Sequence, residues 1–237
     1  MPSKIVVTDY LEPDFEWEQD QLRSRGHEFT WEAHQMKYAS EEELLPIVRD
    51  ADVVVVNMAR MTPKVIEGME RCRLIIRHGI GYDNVDLPAA TAKGIRVATV
   101  PDYCPQEVAE QALMLLLAAA RHLPEQLESM KASVAAGGWD FSPVRSVFMM
   151  QGKTLGIIGC GRIGGRLYRM TEGFAVERIV CDPYLDEAAR RDLGVEPVPL
   201  EQVLKASDII SLHVPLNDET RGMIHAGTLR QMKPSAV

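Results

Sequence analysis

The sequence predicts an α/β protein with parallel sheets, divided into two domains at about residue 100. Three observations support this prediction. Short apolar stretches alternate with helix-compatible stretches along the chain. Residues 53–56 are four consecutive valines, which is typical of a central parallel strand covered on both faces. Residues 152–182 predict a strand, a glycine-rich turn, a helix and a second strand that leads into Asp182.

Domain 1–100 is predicted from regular alternation of strands and helices. A capping box at residues 40–43 begins one helix, and Thr62 followed by Pro63 begins the next as N-cap and first helical residue. The predicted strands are 4–8, 27–31, 53–56, 74–77 and 95–98, and the predicted helices are 14–25, 40–49, one from 62, and 86–93. Such alternation predicts a small α/β domain of its own.

Domain 101–237 begins with a composition break at residues 101–105. The longest helical pattern, 106–122, follows, and its apolar residues cover so much of the circumference that both faces are expected to be buried. A second helix runs from Pro124 to the glycines at 137–138, and residues 139–148 are predicted to be irregular. The later predicted strands are 154–158, 179–181 and 208–212, with helices 162–172, 186–193, 200–205 and 225–232, a turn at 220–224, and the start of another strand at 234–237.

Composition restricts the classes of function. The chain has 237 residues, and its net charge of −8 argues against a nucleic-acid-binding surface. The longest apolar run, 112–120, is too short to span a bilayer, and the amino terminus lacks the layout of a signal peptide. The four cysteines form neither a CxxC pair nor a metal-binding spacing with the histidines. We therefore expect a cytoplasmic protein without a membrane, nucleic-acid or metal partner.

The glycines at 159, 161 and 164 have the GxGxxG spacing of a dinucleotide-binding turn. Gly159 is expected to turn the chain out of the strand, and Gly161 to leave room for a pyrophosphate. Gly164 is expected to let the helix pack close to the strand. Amides at the start of the helix favour the negative charge of the phosphates. The alternative is a tight turn without a ligand.

Asp182 decides which dinucleotide is expected. It follows Gly164 by 18 residues, at the end of the second strand, where a carboxylate can accept hydrogen bonds from both hydroxyls of an adenosine ribose. A 2′-phosphate would be repelled there, and Pro183 and Tyr184 follow instead of an arginine. The predicted cofactor is therefore NAD and not NADP.

Four separated stretches together resemble one enzyme family. They are residues 77–86 (RHGIGYDNVD), residues 100–109 (VPDYCPQEVA), the glycine fingerprint with Asp182, and residues 208–216 (DIISLHVPL). The chain resembles the D-isomer-specific 2-hydroxyacid dehydrogenases, and most closely the branch near C-terminal-binding-protein and phosphoglycerate dehydrogenase sequences. The resemblance implies a Rossmann-type doubly wound parallel sheet plus a smaller flavodoxin-like α/β domain, which a C-terminal helix would complete.

The resemblance also implies site residues. The substrate carboxylate would be held by the loop Gly79, Ile80 and Gly81. His213 is expected beside the cofactor and not as an acid. Further cofactor contacts carry over by position: Arg162 and Ile163 on the pyrophosphate, Val214 and Pro215 near the adenosine, Thr220 in the following turn, and Cys104 and Val108 near the nicotinamide.

The catalytic groups are not assigned to this sequence. Hydride transfer to a keto acid needs an imidazole that exchanges a proton, a carboxylate that orients it, and an arginine that polarises the carbonyl. In the family these three residues are expected beyond Val237. The chain is therefore expected to be either a truncated copy of a longer enzyme or a stand-alone product that lacks the active site, and as given it would bind NAD without turnover. The apolar surface of the predicted helix 106–122, of the helix that follows it and of Trp139 implies a homodimer.

Three hypotheses of function follow. The leading one is an NAD-dependent oxidoreductase that interconverts a D-2-hydroxy acid and its 2-keto acid by hydride transfer. The second is an NAD(H)-responsive interaction protein similar to the corepressor relatives, which binds cofactor without turnover. The third, a methyltransferase that binds S-adenosylmethionine, is compatible with Asp182 but leaves the loop 79–81 unexplained.

Overall fold

The computed structural model of the chain describes residues 2–10, 14–140, 142 and 149–237. These residues form two compact units, the first ending at Tyr103 and the second beginning at Cys104. The sequence prediction placed a boundary after residue 100. Each unit is built on one parallel sheet.

The sheet of the first unit has five strands in the order β2-β1-β3-β4-β5. This is the strand order of flavodoxin-like folds, so the predicted fold class is confirmed for this part of the chain. The elements are β1 Ser3–Val7, α1 Glu16–Ser24, β2 Phe29–Ala33, α2 Glu41–Val48, β3 Val53–Val56, α3 Pro63–Gly68, β4 Leu74–Arg77, α4 Leu87–Ala92 and β5 Arg96–Thr99.

The valine strand β3 is the middle strand of this sheet, as predicted. Val54 and Val56 are fully buried in a core with residues of α2, α3 and α4. Val53 and Val55 point to the opposite face, because side chains alternate along a strand. They are half-buried and line a cavity of about 510 Å³ beside α1. The second face is therefore only partly covered within the described residues.

The sheet of the second unit has the order β7-β6-β8, with helices on both faces. Leu155 and Ile157 of β6 pack with α5 and α7, whereas Ile158 packs with α9. This arrangement confirms the predicted doubly wound sheet. The elements are α5 Pro105–Ala120, α6 Leu123–Ala135, β6 Thr154–Ile158, α7 Gly164–Met170, β7 Glu177–Cys181, α8 Glu187–Leu193, α9 Leu200–Ala206, β8 Ile209–Leu212 and α10 Ala226–Leu229. None of the helices in the described ranges is long and apolar enough to cross a bilayer.

Several boundaries differ from the prediction for local reasons. Strand β2 begins two residues later than predicted, because the amides of Gly26 and His27 close the end of α1. Helix α7 ends at Met170, and a short 3₁₀ turn at Glu172–Phe174 follows it. The predicted helix 225–232 is reduced to Ala226–Leu229. Most of the predicted irregular segment 139–148 lies outside the described residues.

The last residue continues the sheet beside β8. The amide of Val237 donates to the carbonyl of Asp208 at 3.1 Å, and the amide of Ile210 donates to the carbonyl of Val237 at 2.9 Å. These two bonds are the pattern of a parallel strand pair. They agree with the predicted strand start at 234–237.

An aspartate fixes the register at the amino-terminal edge of both sheets. Asp52 precedes β3; its carboxylate accepts from the amide of Lys4 at 2.8 Å, and its own amide donates to the Lys4 carbonyl at 2.9 Å. Asp208 precedes β8 and makes the same reciprocal pair with Thr154, at 3.0 and 2.8 Å. The two units therefore use the same device to align neighbouring strands.

Both carboxyls are more acidic than usual. The amide of Lys4 lowers the pKa of Asp52, against the effect of burial, and Arg71 at 2.9 Å adds to the lowering. Burial raises the pKa of Asp208, but the amide of Thr154 and the ammonium of Lys233 outweigh it. A lowered folded-state pKa stabilises the fold above the unfolded-state value of about 3.9. This stabilisation is lost as the pH falls through the folded-state pKa.

We predict that Asp52→Asn lowers the free energy of unfolding by about 1 to 3 kcal/mol at pH 7, because a charged, buried hydrogen-bond acceptor is lost. The difference from wild type should shrink as the pH falls below about 4, near the unfolded-state pKa, and the wild-type carboxylate becomes protonated in the folded protein. Thermal unfolding followed by tryptophan fluorescence measures both effects. Asp20→Asn, on the exposed face of α1, is the matched control, and an equal loss in the two variants would contradict the prediction.

Candidate functional site

The turn after β6 is shaped by the close approach of β8. Gly159 has φ +85°, in the left-handed region that favours glycine. A β-carbon at this position would lie 2.7 Å from the carbonyl oxygen of His213 and 2.8 Å from Cγ1 of Val214. Position 159 therefore requires glycine for two reasons: the backbone has a positive φ, and the residues just after β8 leave no room for a side chain.

The other two glycines of the fingerprint differ from each other. A β-carbon at Gly164 would lie 2.1 Å from the carbonyl oxygen of Gly159, so any side chain would push α7 away from the turn. At Gly161 there is open space, with no atom within 4 Å of the β-carbon position. The predicted roles of turn, open approach and close helix packing agree with these three environments. Arg162 and Ile163 occupy the remaining part of the loop, exposed and half-buried respectively.

Asp182 lies at the end of β7, next to the glycine turn. Its Oδ2 accepts from the amide of Cys160 at 2.8 Å, and its Oδ1 accepts from the amide of Tyr184 at 3.0 Å. The half-buried carboxylate is therefore held in a fixed orientation against the fingerprint. It lines a cavity of about 390 Å³ together with Gly161. This position at the end of the second strand agrees with the sequence prediction, and the role of Asp182 as a ribose ligand stays a prediction.

Cys160 and Cys181 flank this carboxylate without the properties of reactive thiols. Burial raises the pKa of Cys160 to about 11, and the negative charge of Asp182 adds to the effect. The pKa of Cys181 is raised by the same two causes. Both side chains are therefore neutral near pH 7 and fill space beside the turn.

The glycine turn with Asp182 forms one wall of the described site, and the segment after β8 forms the second wall. Val214, Pro215 and Thr220 line a cavity of about 280 Å³. The hydroxyl of Thr220 donates to the carbonyl of Pro215 at 2.5 Å and accepts from the amide of Asn217 at 3.0 Å. Thr220 therefore holds the turn itself together, a role that the sequence did not predict.

His213 turns its ring away from the glycine turn. Its backbone lies against Gly159, whereas its Nε2 is 2.9 Å from Oγ of Ser211. The ring lines an apolar groove of about 390 Å³ with Val108 of α5. Burial lowers the pKa of His213, so the imidazole is neutral at pH 7. Cys104, predicted with Val108 near the nicotinamide, is the half-buried N-cap residue of α5.

The loop predicted to bind a carboxylate lies at the carboxyl end of β4. The carbonyl of Gly79 accepts from the amide of Val100 at 3.0 Å, Ile80 is half-buried and Gly81 is exposed. Nδ2 of Asn84, shortly after the loop, donates to the carbonyls of Asn57 at 3.1 Å and Ala59 at 2.9 Å. The loop is thus tied to the segment that follows β3.

The segment after β3 is organised by a buried aspartate that sequence reasoning missed. Asp9, at 2% exposure, follows β1 and accepts from the amides of Asn57, Met58 and Ala59 at 3.1, 2.5 and 3.3 Å. In flavodoxin-like sheets the switch point lies between these two strands. The Asp9 carboxylate therefore accepts hydrogen bonds from three amides that would otherwise be open to another anion. The only sequence signal was an aspartate directly after an apolar strand.

No group of three or more His, Cys, Asp or Glu side chains suited to a metal ion occurs among the residues that the structure describes. The described site instead consists of a glycine turn, a fixed carboxylate and two cavity walls.

Comparison with known proteins identifies the family. Residues 113–237, more than half of the chain, match the model of the D-isomer specific 2-hydroxyacid dehydrogenase, NAD binding domain. The chain belongs to the D-isomer-specific 2-hydroxyacid dehydrogenase family. The matched region contains the glycine turn and Asp182, and the predicted cofactor, NAD, is confirmed by the description of that domain.

Similar proteins of this dehydrogenase family are longer. The chain is 38% identical over 236 residues to a D-3-phosphoglycerate dehydrogenase of Methanocaldococcus jannaschii, covering 99% of this chain and 43% of that protein. It is 37% identical over 202 residues to a hydroxypyruvate reductase of Thermotoga maritima, covering 85% and 63%. The crystal structure of a D-lactate dehydrogenase from Aquifex aeolicus, complexed with NAD and lactic acid, has a TM-score of 0.79 at 26% identity, covering 97% of this chain and 66% of that one. The chain thus spans about half of the length of the curated relatives that it matches.

Two glycines of the fingerprint turn allow a matched test. We predict that Gly159→Ala lowers the melting temperature of the second unit, because residue 159 has a positive φ and the new methyl group would collide with the backbone of His213 after β8. Gly161→Ala should leave the melting temperature within about 2 °C of wild type, a shift well under 1 kcal/mol. It should still weaken NADH binding, because the methyl group occupies the open approach.

Thermal unfolding and fluorescence titration with NADH separate the two effects. The interpretation is wrong if Gly161→Ala unfolds as readily as Gly159→Ala, or if it binds NADH like wild type.

Proposed function

We propose that the protein is an NAD-dependent oxidoreductase that interconverts a D-2-hydroxy acid and its 2-keto acid by hydride transfer. The observation that carries the proposal is Asp182, held by the amide of Cys160 beside a turn whose glycines leave room for a pyrophosphate. A carboxylate fixed at this position is suited to the hydroxyls of an adenosine ribose. NAD bound there would supply or accept the hydride.

The relatives support this class of substrate. Phosphoglycerate, hydroxypyruvate and lactic acid, which appear in their names, all carry a carboxylate next to a hydroxyl-bearing or keto carbon. We propose that a 2-hydroxy or 2-keto acid of this kind is the substrate and that Gly79, Ile80 and Gly81 receive its carboxylate. The contacts of Asn84 and Asp9 favour this assignment, because they hold the neighbouring segment in place.

We propose the cofactor contacts from the positions that match the motifs of the family. Arg162 and Ile163 would lie on the pyrophosphate, and Asp182 on the ribose. Residues of the second wall and of α5 would complete the site: His213, Val214, Pro215, Thr220, Cys104 and Val108. We assign no catalytic acid or base to residues 1–237; the arginine, glutamate and histidine that the family resemblance implies are expected beyond Val237.

The enzyme is favoured over the two other hypotheses. The relatives named above are dehydrogenases and a reductase, which favours turnover over a cofactor-sensing interaction protein. The match to an NAD-binding domain argues against a methyltransferase that binds S-adenosylmethionine.

We also propose that the protein forms a homodimer through α5 and α6. Large apolar side chains on these helices are strongly exposed in the single chain, although the sequence pattern led us to expect both faces of the first helix to be buried. The exposed residues are Met114, Leu115, Leu123, Leu127 and Val134, together with Trp139 after α6. Apolar patches of this extent are typical of interfaces between proteins.

We predict that residues 1–237 bind NADH and that Asp182→Ala weakens this binding about 10-fold or more, because hydrogen bonds to a charged acceptor are lost. Fluorescence titration with NADH provides the affinity. Asp218→Ala, in the exposed turn after β8, is the matched control and should bind NADH normally. Equal NADH affinity of the Asp182 variant and the wild type would exclude the proposed ribose contact.

Turnover is tested with the complete product of the source gene and a panel of 2-keto acids. Steady oxidation of NADH with at least one keto acid is the expected result. Tight NADH binding without turnover of any panel member would instead support the cofactor-sensing hypothesis.

The dimer proposal predicts that Leu127→Asp shifts the protein from dimer to monomer in sedimentation at micromolar concentration, because burial of a charge in an apolar interface is costly. Glu128→Gln, at the neighbouring exposed position of α6, should remain dimeric. A wild-type protein that sediments only as a monomer would refute the proposal.

A further inference from the structure

The segments after β7 and β8 are joined by one exposed tyrosine. Oη of Tyr184 lies 2.7 and 2.9 Å from the two carboxylate oxygens of Glu219, 35 residues away in sequence. The amide of the same tyrosine donates to Oδ1 of Asp182 at 3.0 Å. Tyr184 therefore contacts two carboxylates, one of which is the proposed ribose ligand.

Glu219 is also held by its own turn. Its amide donates to Oδ1 of Asn217 at 3.0 Å, and the same oxygen accepts from the amide of Thr220 at 3.0 Å. The hydrogen bond to Glu219 raises the pKa of Tyr184, so the phenol remains protonated and able to donate. The position of the Glu219 carboxylate is thus fixed from both ends.

The cavity beside Asp182 has few positive groups to offer a phosphate. Among the described residues that line it, the charged side chains are Asp182, Asp186, Asp192 and Arg169. The guanidinium of Arg169 pairs with the carboxylate of Asp192. The carboxylate of Asp186 caps α8 by accepting from the amide of Ala189 at 2.8 Å. An added 2′-phosphate would therefore face a surplus of negative charge.

We propose that Glu219, positioned by Tyr184, is a second determinant, in addition to Asp182, of the selection of NAD over a dinucleotide with a 2′-phosphate. The inference rests on the proposed cofactor site. Repulsion between the Glu219 carboxylate and the phosphate weakens binding of NADPH but leaves NADH, which lacks that phosphate, unaffected. Tyr184 acts as a positioning residue, because its hydroxyl donates to the Glu219 carboxylate while its amide donates to Asp182.

The test compares dissociation constants for NADPH and NADH in wild type, Glu219→Gln and Tyr184→Phe. Glutamine keeps an oxygen that can accept from Tyr184 but removes the charge. We expect the ratio Kd(NADPH)/Kd(NADH) to fall about 2- to 5-fold in Glu219→Gln, the scale of one exposed charge pair, with Kd(NADH) unchanged. Tyr184→Phe should lower the ratio in the same direction, because Glu219 is then no longer held.

A matched control and a salt series identify the cause. Glu201→Gln removes the same charge from α9, where the residue pairs with Lys205, and should leave the ratio at the wild-type value. Added salt screens exposed charges, so the wild-type ratio should decrease with salt more steeply than that of Glu219→Gln.

The outcomes are distinguishable. A ratio in Glu219→Gln equal to that of wild type, or equal changes in the affinities for both cofactors, would overturn the role of Glu219. A shifted ratio in Glu219→Gln with none in Tyr184→Phe would overturn the positioning role of Tyr184. Absence of NADH binding in the wild type would overturn the proposed function, and this inference with it.

Discussion

The proposed cofactor site depends on how closely three strand ends approach one another. The amide of Gly159, after β6, donates to the carbonyl of Cys181 in β7 at 2.8 Å. On its other side, the same glycine contacts the backbone of His213 after β8. A side chain at Gly159 or Gly164 would force β8 or α7 outward. The concave turn therefore exists because these positions lack side chains, and the orientation of Asp182 follows from it through the amide of Cys160.

The two edges of each sheet contribute differently: the amino-terminal edge fixes strand register, and the carboxyl edge carries the loops. At the amino-terminal edge, Asp52 and Asp208 fix strand register through the same reciprocal bonds to Lys4 and Thr154. At the carboxyl edge, the connecting loops carry the proposed binding groups. This division is typical of parallel α/β sheets, in which a rigid scaffold supports functional loops. In the first unit Asp9 extends the scaffold into those loops.

The sequence predicted the part of the site whose residues lie close together in the chain. Gly159, Gly161 and Gly164 are recognisable because each backbone requirement falls at a fixed spacing within one strand–turn–helix unit. The contact between Tyr184 and Glu219 was not predictable, because it joins two loops whose conformations are set by other hydrogen bonds. The role of Asp9 escaped prediction for the same reason: its three partners lie about 50 residues away. Strand β3 was found from four valines, whereas the start of β2 depended on how α1 ends.

A crystal structure of the protein with bound NADH would test the central claim most directly. We predict that the adenosine ribose hydroxyls lie at hydrogen-bonding distance, about 2.5 to 3.0 Å, from the carboxylate of Asp182, with the pyrophosphate over Gly161. The adenosine would then lie against the segments after β7 and β8. A cofactor bound elsewhere, or a ribose that makes no contact with Asp182, would contradict the account.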